Sequence, residues 1–201
     1  MSPILGIYAS QISGHLFAPS GAYDSIATTT LTSATSTVTF SSIPSTYTHL
    51  QLRYIARGTT TNNDESVLWQ MNGLSSNGNY TRHSLWGEGA VAQSGADTNS
   101  NGGLIQMPSG GNLSNTFGAG VIDVLDYAST SKNKTIRAFG GFDTNNSTNG
   151  QAYHYISLNS NLAITQGTTA TTSFTFTCYV YAGGSGFAVG SSFALYGIKG
   201  N

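Results

Sequence analysis

The chain has 201 residues, of which 7% are charged, and its formal net charge is -1. Typical globular domains have about a quarter of their residues charged, so Ser, Thr, Asn, Gln and Gly must cover most of this surface. The near-neutral balance lacks the basic footprint of a nucleic-acid-binding protein, and a hydrophobic fraction of 38% excludes wholesale disorder.

The first segment, residues 1–21, shows no strand alternation and ends in Pro19-Ser20-Gly21. It has no basic n-region, and polar residues interrupt its apolar pieces, so we expect neither a signal peptide nor a membrane span. Such segments are often ordered only by a neighbouring subunit. We therefore expect an N-terminal arm whose attachment contacts are its apolar residues. These are Ile4, Leu5, Ile7, Tyr8, Leu16 and Phe17.

The rest of the chain follows an all-β pattern, because period-two alternation and β-branched runs recur between Gly, Asn, Pro and Ser turns. In His49–Arg57, for example, Leu50 and Leu52 alternate with Gln51 and Arg53. The predicted strands, in chain order, are Tyr23–Leu31, Thr35–Ser41, His49–Arg57, Ser66–Asn72, Tyr80–Trp86, Leu104–Met107, Phe117–Tyr127, Lys134–Phe142, Tyr153–Leu158, Leu162–Thr165, Ser173–Tyr181 and Phe193–Ile198.

These strands predict one jelly-roll-like β-sandwich over residues 22–201, with a closed barrel as the less favoured alternative. No segment keeps a helical period over three turns, and Tyr127–Lys134 is the best candidate for a single helical turn. The polar stretch Gly87–Gly103 is predicted to be a loop or flap. The predicted core includes Val38, Phe40, Leu50, Leu52, Val124, Phe176 and Leu195.

Catalytic motifs are missing from the sequence. No Gly-x-Ser-x-Gly pentapeptide is present, and no histidine has a second His or a carboxylate at metal-ligand spacing. Asp123 and Asp126 are three residues apart on or just beyond a strand, so regular alternation puts them on opposite faces. The single cysteine, Cys178, lies in an apolar run that predicts a buried, inert thiol. We expect no enzymatic activity and no cofactor.

One loop has the first half of a calcium-binding pattern. The run from Asp97 to Gly102 matches D-x-N-x-N-G, in which side-chain oxygens alternate around an ion. Its twelfth position is Pro108 instead of a bidentate Glu, so this is no EF-hand. Asp97, Asn99 and Asn101 are candidate oxygen ligands, and the alternative is an Asx-rich loop without metal. We expect no metal site.

Aromatic residues supply the only binding signal. Several of them lie among Asn, Gln, Arg and His, which is the mixture with which a lectin stacks against a sugar and bonds its hydroxyls. The alternative is that they pack in the core or at an interface. The candidate saccharide contacts are Trp69, Tyr80, Trp86, Tyr153 and Tyr155.

Four blocks carry a resemblance to a known family. They are Gly21–Thr29, Ile43–Arg53, Ile122–Tyr127 followed by Lys134–Arg137, and Ser192–Lys199. In this order they resemble a family of small virion proteins of tailed phages, common in cyanophage-like genomes and named fibre, knob or decoration proteins. The resemblance implies a non-enzymatic structural role on the virion, on its capsid, tail or fibre. It transfers no catalytic or binding residue.

Two functions follow as expectations. The first is a virion structural protein, made in the host cytoplasm, that binds phage capsid or tail proteins. It would form a homo-oligomer, most simply a trimer, because low charge makes a lateral interface inexpensive to desolvate. The second is an adhesin or receptor-binding knob that binds a host surface glycan. An enzyme such as a depolymerase ranks third, since the sequence shows no paired carboxylates.

Overall fold

The computed structural model describes residues 22–88, 91–143, 154–163, 168–179 and 186–200, with the backbone alone at Glu88 and 154–163. The described residues form β-strands and turns and contain no helix. The strands are β1 (Tyr23–Thr30), β2 (Thr37–Phe40), β3 (His49–Ala56), β4 (Asp64–Met71), β5 (Tyr80–Glu88), β6 (Val91–Ser100), β7 (Gly103–Pro108), β8 (Gly118–Leu125), β9 (Thr135–Asp143), β10 (His154–Ala163), β11 (Phe174–Tyr179) and β12 (Ser192–Ile198).

The strands form two antiparallel sheets. The larger has eight strands in the order β1-β12-β3-β8-β9-β10-β5-β6, and the smaller has four in the order β2-β11-β4-β7. The chain passes from one sheet to the other at most of its connections, as in jelly-roll proteins. The predicted all-β sandwich is therefore confirmed.

The core lies between the two sheets and is rich in aromatic rings. Phe176 on β11 is its centre, with ring centroids 5.0 Å from Phe193, 5.3 Å from Phe174 and 6.2 Å from Tyr54. All seven residues predicted for the core are buried. Strand alternation places them there, because every second side chain of a strand points to the same face.

A pair of glycines makes room for one of these rings. Gly120 on β8 lies opposite Gly140 on β9, and both face the core. A Cβ atom on Gly120 would lie 2.4 Å from the ring of Tyr54, and one on Gly140 would lie 3.0 Å from its hydroxyl. The glycines are needed for this close approach and not for an unusual backbone conformation.

Three predicted elements differ from the structure. Gly87–Gly103 is not a loop, because Val91–Ser100 forms β6, an antiparallel partner of β5. The described parts of the two predicted runs Tyr153–Leu158 and Leu162–Thr165 belong to one strand, β10, which covers His154–Ala163. Tyr127–Lys134 forms turns instead of a helical turn. Exposed residues fill nearly all of β6, so it lacks the buried face that produces an alternating pattern.

Candidate interaction surface

The outer face of the eight-stranded sheet holds a groove of about 510 Å³. Residues of β1, β3, β8, β9 and β12 line it, and the lining is predominantly apolar. We call this feature the outer groove. Small residues, Ala119, Gly141 and Ala194, occupy outward positions on three of these strands, while Ile55 and Phe139 stand beside them with large side chains. The contrast in side-chain size produces the depression.

The registers align the apolar residues across the sheet. Ala194 lies opposite Arg53, Arg53 opposite Val121, and Val121 opposite Phe139. The next row contains Ile55 opposite Ala119. Ile55 and Phe139 are 54% and 56% exposed, although both are large and apolar. A contiguous apolar patch with such exposure is typical of a surface that contacts another molecule.

A polar network borders the outer groove on one side. Gln51 Nε2 donates to Asp123 Oδ1 at 2.9 Å, and Arg53 Nε donates to Gln51 Oε1 at 2.8 Å. Arg137 Nη2 lies 3.3 Å from Asp123 Oδ2. Asp123 and Arg137 form an ion pair and Arg53 bonds to the amide of Gln51, so the polar groups of this border have partners within the domain.

Arg53 also contacts two aromatic rings. Its guanidinium carbon lies 5.1 Å from the ring centroid of Tyr196 and 5.7 Å from that of Tyr23. Both distances are within the range of cation–π attraction. Tyr23 nevertheless remains 47% exposed. Arg53 thereby joins the polar border to the edge strand β1.

The predicted saccharide contacts do not form one surface. Trp69 and Tyr80 are both 0% exposed, so the prediction that they contact a sugar is wrong. The ring of Trp69 stacks on Phe174 at 5.8 Å and meets Tyr80 edge-on at 6.3 Å. The hydroxyl of Tyr80 accepts the N–H of Met71 at 2.9 Å, and burial raises its pKa to about 12. Both aromatics belong to the core because β4 and β5 place them on inward positions.

The other aromatic candidates divide differently. Trp86 on β5 is half-buried. A Cβ atom added to Gly95 of β6 would lie 3.2 Å from its ring. This ring covers a glycine of the neighbouring strand. Tyr153 and the side chain of Tyr155 lie outside the described residues, as do the arm residues Ile4, Leu5, Ile7, Tyr8, Leu16 and Phe17.

The calcium-like run is part of β6 and the turn that follows it. Asp97 lies opposite Arg82, with 3.6 Å between Oδ2 and Nη2. Its other oxygen, Oδ1, accepts the N–H of Asn99 at 2.8 Å, as in an Asx turn. Asn101 lies in the bend before β7. No group of three His, Cys, Asp or Glu side chains suited to a metal occurs within the described part of the chain.

The two aspartates near the end of β8 have separate partners. Asp123 binds Gln51 and Arg137 in the polar border. Asp126 has a backbone φ of 51° in the turn after β8, and its Oδ2 lies 3.0 Å from Lys132 Nζ. The second carboxylate therefore stabilises the turn after β8.

A buried carboxylate was not anticipated. Glu65 is 4% exposed, and its Oε2 accepts the hydroxyl of Ser109 at 2.8 Å and the thiol of Cys178 at 3.7 Å. Burial, with Glu65 as a further cause, raises the pKa of Cys178 to about 12. The thiol is therefore protonated at neutral pH and is no nucleophile. The expectation of a buried Cys178 is confirmed.

Sequence reasoning also missed the outer groove. A usable signal existed, because Ile55 interrupts the polar face of its strand and Val121 directly precedes the core residue Ile122. Consecutive apolar residues on a strand mean that both of its faces are apolar. The pattern alone does not reveal that these outward residues come from adjacent strands.

Comparisons with known proteins add no family. No protein-family model, curated protein or solved structure matches the chain. The described residues contain no helix with the length and hydrophobicity that crossing a membrane requires.

Proposed function

We propose that this protein is a non-enzymatic structural component of a tailed-phage virion, which decorates or cements the capsid or forms an accessory part of the tail or fibre. The observation that carries the proposal is the outer groove, an exposed apolar surface that crosses five strands of the larger sheet. Burial of such a surface stabilises an assembly without any chemistry at the interface. The sequence resemblance to virion proteins supports the same assignment.

The charges of the domain support an assembly role as well. Each of the seven Lys and Arg side chains has a partner inside the domain. Four of them pair with carboxylates, and the others bind an amide oxygen or backbone carbonyls. Because these charged side chains already have partners, their burial against a neighbouring subunit costs little desolvation free energy.

In this proposal the protein is a homo-oligomer, most simply a trimer, and residues 1–21 attach it to the virion or to a neighbouring subunit. One apolar arm supplies modest binding, and a closed ring of copies adds avidity. Deleting residues 2–20 is expected to leave a folded domain that no longer associates with particles. Full occupancy of particles by the truncated protein would assign attachment to the sandwich instead.

The direct test is to purify particles of the phage whose genome carries this sequence. Quantitative mass spectrometry is expected to find the protein at a fixed copy number per particle, and cryo-EM is expected to place it at symmetric positions. Its absence from washed particles, with the protein free in the lysate, would contradict the proposal.

A second candidate function is glycan binding by a virion adhesin. The cluster of Tyr23, Arg53 and Tyr196 favours it, because the exposed ring of Tyr23 and the ring of Tyr196 lie beside one guanidinium that can donate to sugar hydroxyls. This cluster differs from the aromatics first selected by sequence. The full chain on a glycan array distinguishes the functions: binding that Tyr23→Ala abolishes would establish the adhesin, and an array without signal would reject it.

A further inference from the structure

The outer groove matches the chemistry of the chain's own N-terminal segment. Residues 1–21 contain no Asp, Glu, Lys or Arg, and Ile4-Leu5-Gly6-Ile7-Tyr8 is their longest apolar piece. The groove is predominantly apolar, and the one charged side chain in its lining, Arg53, is engaged by Gln51 and two tyrosines. An uncharged apolar segment of strand length therefore adds no further charge that would need a partner in this groove.

The point where the arm joins the domain bears on which groove the segment can enter. The arm joins the domain at Ala22, next to the Tyr23 end of β1, whereas β1 reaches the groove through Thr28. Tyr23 and Thr28 are about 17 Å apart along the strand, but the groove residue Tyr196 lies opposite Ser25, so the groove begins only about 7 Å from Tyr23. A segment that continues away from β1 moves away from its own groove, and it would have to reverse direction to enter it. A second copy placed along that direction would present its groove to the segment without such a reversal.

The arm is also long enough to connect two copies. About thirteen residues, 9–21, separate Tyr8 from Ala22, and an extended chain of this length spans about 43 Å. That exceeds the width of the five groove strands, which is about 19 Å at about 4.8 Å between neighbours. The connection can therefore leave one domain and cross to the groove of the next.

We propose that the outer groove binds residues Ile4–Tyr8 of a neighbouring copy of this chain. The inference rests on the homo-oligomer and the arm of the proposed function, and it names the surface that receives the arm. Each copy donates one segment and accepts one, so the contact is head-to-tail and closes into a ring when the rotation between copies allows it. Ring closure adds avidity, so the closed assembly is more stable than one such weak contact between two copies.

Disulfide trapping with the full-length chain tests the inference. The only native cysteine, Cys178, is buried, so it does not compete with engineered pairs. Ile7→Cys is placed in one chain and Ile55→Cys in a second, mass-tagged chain, and the two are mixed and oxidised. We expect cross-linked heterodimers in several-fold excess over the control pair of Ile7→Cys with Ala96→Cys, which puts the second thiol on an exposed residue of β6, away from the groove.

Two results of the trapping experiment would overturn the inference. Heterodimer yields equal to the control would mean that the segment does not lie in the groove. A chain with both Ile7→Cys and Ile55→Cys that closes on itself at monomer mass, without heterodimers in the mixture, would mean that each arm covers its own groove.

A second measurement does not depend on cysteine chemistry. Sedimentation of the Ala119→Glu protein, which adds a carboxylate to the groove, is expected to show association weakened by about tenfold or more. The matched control, Ala96→Glu, makes the same change on the exposed strand β6 and is expected to associate like the unmodified chain. Ile7→Ser should weaken association equally while leaving the domain itself unchanged.

Equal association of Ala119→Glu, Ala96→Glu and the unmodified chain would contradict the inference. These experiments use purified protein and no particles, so their outcome is separate from that of the virion test. The protein could be found on particles while the groove proves unoccupied, and an arm-in-groove oligomer could form in a protein that never joins a particle.

Discussion

At the residue scale, two buried polar groups illustrate how this domain treats charge. Lys134 is 1% exposed, and its ammonium donates to the carbonyls of Ser129 and Lys132. Burial lowers its pKa, while Asp126 opposes that shift. Glu65 and Cys178 form the second buried group, on the other sheet. Two carbonyl acceptors offset the desolvation cost of Lys134, whereas Ser109 and Cys178 offset only part of that of Glu65, because its Oε1 is buried without a hydrogen-bond partner among the described residues.

Lys134→Met is expected to destabilise the domain by about 1–3 kcal/mol, because it leaves two loop carbonyls without their donor. Lys132→Met makes the same change two residues earlier, where the side chain is 63% exposed and only an ion pair with Asp126 is lost. That control is expected to cost at most about 1 kcal/mol. Urea unfolding measures both, and equal losses would mean that the buried ammonium does not hold the loop.

The buried thiol predicts an alkaline loss of stability. Folding raises the pKa of Cys178 from 9.0 to about 12, so between these values the unfolded chain releases a proton that the folded chain keeps. The thiol's contribution to the free energy of unfolding is complete below pH 9 and is lost as the pH rises towards 12, with a slope of at most about 1.4 kcal/mol per pH unit.

Cys178→Ala is expected to reduce that slope, although Tyr80 still contributes in the same direction. Chemical denaturation at a series of pH values from 8 to 11 gives the two slopes. Identical slopes for the variant and the unmodified protein would show that the thiol does not titrate with folding.

At the element scale, the strands at the centre of the sandwich are tightly packed, whereas the edge strand β6 is exposed. β4 and β11 lie in the smaller sheet and place Trp69, Phe174 and Phe176 in one aromatic cluster. β6 is the last strand of the larger sheet and has exposed residues along most of its length. Its pairing with β5 depends on main-chain hydrogen bonds and on a few cross-strand contacts such as that of Trp86 with Gly95.

The two tryptophans should therefore respond differently to the same substitution. Trp69→Ala is expected to cost about 3–5 kcal/mol of global stability, because it opens a cavity in the core. Trp86→Ala is expected to change the free energy of unfolding by about 1 kcal/mol or less. Hydrogen exchange should then show faster exchange confined to β5 and β6. A global loss for Trp86→Ala as large as that for Trp69→Ala would refute this division.

At the scale of the whole molecule, the basic side chains have partners within the same domain. Apolar contact is therefore the main attraction between copies. The chain has 7 basic and 8 acidic residues, and its basic side chains are engaged within the domain. The proposed oligomer should therefore resist salt, since salt screens exposed ion pairs but does not weaken apolar burial.

Raising NaCl from about 0.05 to about 0.5 M is expected to leave the sedimentation of the oligomer unchanged or slightly strengthen association. Analytical ultracentrifugation at fixed protein concentration gives the result. Dissociation with added salt would instead indicate an interface built on ion pairs between copies.

The sequence by itself determined the fold class and most of the core. Alternation along β3, β8, β11 and β12 identified Leu50, Leu52, Val124, Phe176 and Leu195 as buried, because a strand with one face in the core must repeat every second residue. It could not identify β6, whose two faces are both exposed. It also could not separate Trp69 from Trp86, since a strand pattern does not specify which face meets the second sheet.

Only the tertiary structure decided where an interaction surface lies. The outer groove joins Ile55, Ala119, Phe139 and Ala194, which are distant in sequence and become neighbours through the strand order of the larger sheet. The buried pairing of Glu65 with Cys178 arises in the same way, across β4 and β11. The local pattern of a strand shows which residues share a face. Which strands lie side by side depends on non-local pairing, and no single segment encodes that pairing.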